Sequence, residues 1–185
     1  GTADRVLTAG VLGEIFLMAD GVALGGPTER FVHDHNLAGY VDEARALLAD
    51  HREQIAMPVD VAVLDDGERR ELAIDGLPVD ELCVDIGEAT ITIYEEVIAA
   101  AGTIFANGPA GAYERPGADV GTRRLWTAVA SASGVSAIGG GDTVASAGRF
   151  VDLDDITFVS TGGGASLCML EGQTFTAVEL LDDAS

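Results

Sequence analysis

Two stretches of the chain share one pattern: a short apolar run, three consecutive glycines, then a segment with helical spacing. The first is Ala137-Ile138-Gly139-Gly140-Gly141-Asp142-Thr143 and the second Phe158-Val159-Ser160-Thr161-Gly162-Gly163-Gly164-Ala165-Ser166. A strand that turns through glycine straight into a helix is the repeating unit of α/β proteins, and the rest of the chain keeps the same alternation. Apolar runs at Arg5–Ala9, Val59–Leu64, Glu81–Val84, Thr103–Ala106, Val135–Ile138 and Ile156–Ser160 predict strands. Helical spacing predicts helices over Leu12–Asp20, Leu37–His51, Glu88–Ala101, Gly121–Ala132, Gly141–Gly148 and Gly163–Leu170. Asp65-Asp66-Gly67 predicts a turn into Arg70–Ile74, either a hairpin or an edge excursion. The expected fold is therefore α/β: a three-layer, Rossmann-like single domain over residues 1–185, with a mostly parallel sheet and helices on both faces.

Composition narrows the function. The chain of 185 residues has 10 basic and 31 acidic side chains, a formal net charge of −21, and every basic residue is Arg. Phosphate backbones need clustered Lys and Arg, so nucleic acid is not an expected partner, and anionic membrane surfaces are disfavoured for the same reason. The longest uncharged runs, Val97–Tyr113 and Leu125–Gly141, are broken by Gly and also by Asn and Pro or by Ser, and neither reads as a membrane span. No signal peptide is visible at Gly1. Cys83 and Cys168 fit no disulfide or metal spacing, which suits small apolar residues of a cytoplasmic protein. A dense acidic surface without lysine predicts a halophilic-type protein, because like charges repel until concentrated salt screens them.

Ligands of open α/β sheets bind at the carboxyl ends of the strands. Three glycine-rich junctions stand there: the two triple glycines and Thr103–Glu114, which contains Asn107-Gly108-Pro109. Glycine lets a ligand approach the main chain, and the helix behind it presents free N–H groups and a positive dipole end. Such junctions can hold a polyphosphate without lysine; the other reading is that each merely closes a tight turn. Asp142 is either an ordinary helix N-cap or, with a nucleotide present, a ligand of Mg²⁺, which takes one or two carboxylates together with phosphate oxygens. Thr143 suits either reading. Glu114 is either solvated or an acceptor for ribose hydroxyls. His33-Asp34-His35 lies in an expected surface loop without a third metal ligand, Trp126 is expected in the core, and Arg123-Arg124 in surface ion pairs.

FANGPAGAYE, IGGGDT and STGGGASL, in this order, resemble the C-terminal, nucleotide-binding domain of phosphoglycerate kinases. VDIGEAT at Val84–Thr90 and LEGQTFTAVELL at Leu170–Leu181 are similar to further segments of that family, so the resemblance covers essentially the whole chain. It implies phosphoryl transfer between 1,3-bisphosphoglycerate and ADP, with Mg²⁺ and ADP or ATP as cofactors. It implies that Gly140, Gly141, Asp142 and Thr143 hold the phosphates and the metal, the latter through Asp142. Gly141 and Gly164 would face the phosphoryl group in flight, the catalytic positions. Glu114 would bind ribose, Asn107 and Pro109 would line the nucleotide pocket, and Cys83 and Val84 would lie beside the adenine. It further implies a monomer whose N-terminal domain, carrying 3-phosphoglycerate, is absent together with a Gly-Ala-Lys motif just upstream of Gly1. The chain alone is then expected to bind nucleotide without catalysis. The alternative is a non-catalytic nucleotide-binding module or an α/β scaffold. The sequence departs from the family at Ala106, where Trp is frequent, at Ala9-Gly10-Val11, where the glycine turn is thinner, and at Cys83 and Cys168.

Overall fold

The computed structural model describes residues 3–172. Three helices and then four strands run consecutively before strand and helix alternate: β1 (Val6–Leu7), α1 (Gly10–Ala19), α2 (Gly26–Asp34), α3 (Tyr40–His51), β2 (Ile55–Ala56), β3 (Asp60–Asp65), β4 (Glu68–Ala73) and β5 (Cys83–Ile86). Then come α4 (Glu88–Ala100), β6 (Thr103–Ala106), α5 (Val120–Ser131), β7 (Val135–Gly139), α6 (Gly141–Phe150), β8 (Phe158–Ser160) and α7 (Gly163–Leu170). The segment resembling a C-terminal tail lies largely outside the described residues.

The architecture is α/β, with parallel ladders flanked by helices. β1 pairs with β2 and β6 with β7 and β8, all parallel. A third ladder, β4–β3–β5, is antiparallel throughout. The expected β3–β4 hairpin turns at Asp66 and Gly67, both left-handed (φ 48 and 87), which matches the twist of the strands.

Two elements differ from expectation. The segment around His33-Asp34-His35 is not a loop but the end of α2, with only Thr28 and Val32 of that helix buried. Two inward positions in nine residues leave too narrow an apolar stripe for periodicity to register. β2 is two residues long and is held by Thr8 N–H donating to the Ala56 carbonyl (3.0 Å), a tertiary contact that no local pattern announces.

Four apolar clusters fill the interior. Ile15, Phe16, Val32, Leu48 and Ile55 join α1, α2 and α3 to β2. Trp126, Ile98, Ile104, Val129 and Ile138 join α4 and α5 to β6 and β7, with the indole N–H of Trp126 donating to Ser146 (3.0 Å). The other two lie around β3 and β5 and around Tyr94. No helix among the described residues is long and apolar enough to cross a membrane.

Candidate functional site

β6, β7 and β8 are parallel neighbours, so Asn107-Gly108-Pro109 and the two triple glycines emerge side by side at one sheet edge. The two glycine turns touch. Gly140 N–H donates to the Ser160 carbonyl (2.9 Å), and a β-carbon placed on Gly163 would sit 2.8 Å from the Gly140 Cα. Gly140 itself has φ 108, a left-handed conformation that few side chains tolerate. The starts of α6 and α7 are thereby brought together. A β-carbon at Gly141 or Gly164 would meet nothing within 4 Å, so the front of this paired mouth is open.

The Asn107 loop is tied to the same place. Asn107 Nδ2 donates to the Gly139 carbonyl, and Gly108 N–H donates to Thr143 Oγ1 (2.8 Å). Thr143 is buried, so its hydroxyl clamps the loop onto α6. Farther along, the Ala110 and Gly111 N–H groups donate to Thr122 Oγ1, and Ala112 N–H donates to the Val84 carbonyl (2.8 Å). The loop thus runs from the glycine mouth past Pro109 to Cys83 and Val84. Both of these side chains are buried, which leaves their backbone as the part a ligand could meet. Burial also pushes the Cys83 thiol up to about 11, well away from a reactive thiolate.

Asp142 does not cap its helix. The N-cap position falls on Gly140 and no side chain caps it, while Asp142 stands exposed in the first turn. Its carboxylate has no hydrogen bond or ion pair among the described residues, so the ordinary cap role is not the one it plays. An exposed, uncommitted carboxylate beside two open helix starts is a donor that fits a divalent ion accompanying an anion.

Sequence reasoning missed a cluster next to it. Tyr113 lies between charges: burial and the Glu114 and Asp142 carboxylates raise its phenol above the usual range, with the Arg149 guanidinium opposing. Arg149 lies 5.8 Å from the Tyr113 ring centre and 5.6 Å from that of Phe150. Asp142 and Arg149 are seven residues apart in α6, hence on one helix face, and that spacing was the available signal. Glu114 and Asp142, distant in sequence, both act on Tyr113.

Other expectations resolve plainly. Arg124 pairs with Glu88 (3.0 Å) and Glu95 (2.5 Å), and Trp126 is buried in the core. Both cysteines are free, Cys83 buried and Cys168 half-buried. Among the described residues no group of three His, Cys, Asp or Glu could hold a metal by itself, and the exposed His33 meets only Asp34 (3.7 Å).

Comparison with known proteins identifies the family and the fold. Residues 1–173 match the family profile "Phosphoglycerate kinase". The phosphoglycerate kinase of Methanopyrus kandleri is 44% identical over 177 residues, 96% of this chain and 44% of that protein. That of Natronomonas pharaonis is 43% identical over 182 residues, 98% of this chain and 46% of that protein. The crystal structure of phosphoglycerate kinase from Pyrococcus horikoshii OT3 superposes with a TM-score of 0.89 at 34% identity, covering 97% of this chain and 45% of that one. The chain thus spans less than half the length of these relatives. With a profile match along nearly its whole length and the same fold as a solved relative, it belongs to the phosphoglycerate kinase family.

Proposed function

We propose that this chain is the nucleotide-binding domain of a phosphoglycerate kinase, and that it holds ADP or ATP with Mg²⁺ at the paired glycine mouth. The observation that carries the reading is the contact between Gly140 and Gly163, which sets two helix N-termini around one open space. Main-chain N–H groups there would bind phosphate oxygens, doing with dipoles what a lysine does elsewhere. Gly141 and Gly164 would keep side chains out of the path of the transferring group. Asn107 and Pro109 would position the pocket wall, the Val84 and Cys83 backbone would face the base, and Glu114 would accept from ribose hydroxyls. Thr143 would hold the Asn107 loop in register with Gly140. Asp142 would hold the metal, whose role when bound is to neutralise phosphate charge.

The parent reaction is then reversible transfer of a phosphoryl group between 1,3-bisphosphoglycerate and ADP, yielding ATP and 3-phosphoglycerate. It needs positioning and charge neutralisation and no covalent protein intermediate. The acceptor half would come from a domain outside this chain, so the chain alone binds without turnover. Free Cys83 and Cys168 suit a reducing cytoplasm, and the net charge of −21 suits high salt.

Calorimetry with Mg·ADP in molar KCl tests the reading. Wild-type chain is expected to bind, and Asp142→Ala to lose about tenfold or more of its Mg-dependent affinity, more than 1.4 kcal/mol, with an unchanged circular dichroism spectrum. Equal binding with and without Mg²⁺, or no heat from the wild type, would reject it.

A further inference from the structure

Glu114 stands on a short bridge of chain whose two ends are pinned. At the near end Ala112 N–H donates to the Val84 carbonyl of β5 (2.8 Å). At the far end the Gly117 carbonyl accepts from Arg69 Nη1 of β4 (2.9 Å). Two turns stiffen the span between them. Arg115 N–H donates to the Ala112 carbonyl (2.9 Å), and Ala118 N–H donates to the Arg115 carbonyl (3.0 Å). In the second turn Pro116 presets the second position and Gly117, with φ 84, takes the left-handed third position, the type II pattern.

Arg69 is an unusual anchor. It belongs to the β3–β4 hairpin, not to any of the glycine-rich junctions, and its side chain is only 15% exposed. Withdrawing a guanidinium from water is costly unless acceptors meet its planar fork. Here they do. Nε donates to Glu71 Oε1 (2.7 Å), Nη1 to Asp85 Oδ2 (2.9 Å) as well as to Gly117, and Nη2 to the Ile86 carbonyl (2.7 Å). Asp85 carries the tie onward. Its side chain is fully buried, and it accepts from Gly121 N–H at the start of α5 (2.8 Å) and from Ile86 N–H (2.9 Å). One guanidinium thus holds β5, the far end of the Glu114 bridge and the beginning of α5 in a single register. A lysine, with its donors on one nitrogen, could not span these acceptors.

The glycine mouth has ties of its own. Asn107 Nδ2 on the Gly139 carbonyl and Gly108 N–H on Thr143 fasten the loop before it reaches Ala112. Loosening Arg69 therefore shifts Glu114 and spares the mouth. We infer that Arg69 is a positioning residue for Glu114, and that through it the chain selects ribose over sugars lacking the 2′ and 3′ hydroxyls. The inference rests on the reading of Glu114 as the ribose acceptor. A carboxylate selects a hydroxyl only while held within hydrogen-bond reach, and Arg69 keeps it there.

Calorimetry in molar KCl with Mg²⁺ tests this with three titrants: ADP, 2′,3′-dideoxy-ADP and tripolyphosphate. Wild type is expected to prefer ADP over the dideoxy compound about tenfold or more, the range of a hydrogen bond to a charged group. Glu114→Ala is expected to erase that preference. Arg69→Lys keeps the charge and loses the fork. It is expected to cut the preference to about twofold, while tripolyphosphate binds within about twofold of wild type. Combining Arg69→Lys with Glu114→Ala is expected to add nothing to the loss from Glu114→Ala alone. Glu71→Gln weakens one contact of the fork and is expected to lower the preference about threefold; it serves should Arg69→Lys fail to give a native circular dichroism spectrum. No preference in wild type, or one that Glu114→Ala retains, would overturn the ribose reading and this inference with it. A preference lost in Glu114→Ala yet kept by Arg69→Lys, or by Glu71→Gln if only that variant folds, would overturn the inference alone. So would a parallel loss of ADP and tripolyphosphate affinity in Arg69→Lys, the mark of a general structural role.

Discussion

At the scale of single residues, neighbouring glycines of one motif have different duties. Gly163 has no room for a β-carbon, which would meet the Gly140 Cα at 2.8 Å, whereas Gly164 faces open space. Gly163→Ala is expected to cost about 1–3 kcal/mol by pushing the two turns apart. Gly164→Ala should leave stability unchanged or slightly raised, because it only restricts the unfolded chain. Urea titration of the two variants reads the difference. The identical letters of the triple glycine were legible in the sequence; which of them touches a neighbour was not. Glu14 is the second case. It lies buried in α1 beside a small cavity that Asp85 also lines, and burial pushes its carboxyl up to about 8. In the unfolded chain it ionises near 4.5. Between those values the folded chain keeps a proton that the unfolded chain releases, so folding stability falls as pH rises from about 4.5 to 8, by up to about 1.4 kcal/mol per pH unit. Asp85 behaves likewise at lower pH: burial outweighs Arg69 and the Gly121 and Ile86 N–H groups and lifts it to about 6. Glu14→Gln is expected to flatten the upper part of this dependence, giving a higher melting temperature than wild type at pH 8 and a similar one at pH 5. Parallel wild-type and variant curves would contradict the assignment.

Among the elements, α4 shows how a helix start is completed from elsewhere. Its N-cap is Gly87, which has no side chain, and the cap is supplied by Asp60 of β3. That carboxylate accepts from Ala89 N–H and Thr90 N–H (both 2.9 Å) and from the Thr90 hydroxyl. Asp60→Ala would leave buried donors unpaired and is expected to cost about 2–4 kcal/mol, seen as a lower urea midpoint with unchanged slope. The position of α4 was readable from Tyr94 and Ile98, and its start from Gly87. Its cap was not, because the partner is 29 residues upstream on an antiparallel strand that the local pattern could equally have placed parallel. α6 reverses the case: it offers an acidic residue in its first turn, yet Asp142 stays outside the cap.

For the molecule as a whole, charge is the dominant variable. A net −21 on 185 residues crowds like charges within the Debye length, which is about 30 Å in dilute buffer, about 8 Å at physiological salt and about 3 Å at 1 M. The melting temperature is therefore expected to rise steadily from dilute buffer to molar KCl; a flat or falling series would remove the salt-adaptation reading. Pairs such as Arg124 with Glu88 and Glu95 are too few to cancel the field, since only 10 arginines oppose 31 carboxylates.

Strand, glycine and helix follow one another in the sequence because hydrophobic period and backbone freedom are local properties, read within a dozen residues. They determined the α/β class, the Asp66-Gly67 turn and the three junctions where a ligand could sit. What only the tertiary structure decided is which of these junctions meet. The contact of Gly140 with Gly163, Asn107 reaching the Gly139 carbonyl, and the shared surroundings of Glu114, Asp142 and Tyr113 all depend on strand order. So does the antiparallel course of β3 and β5. Strand order is set by long-range packing of whole faces, and no residue carries that information in its own neighbourhood.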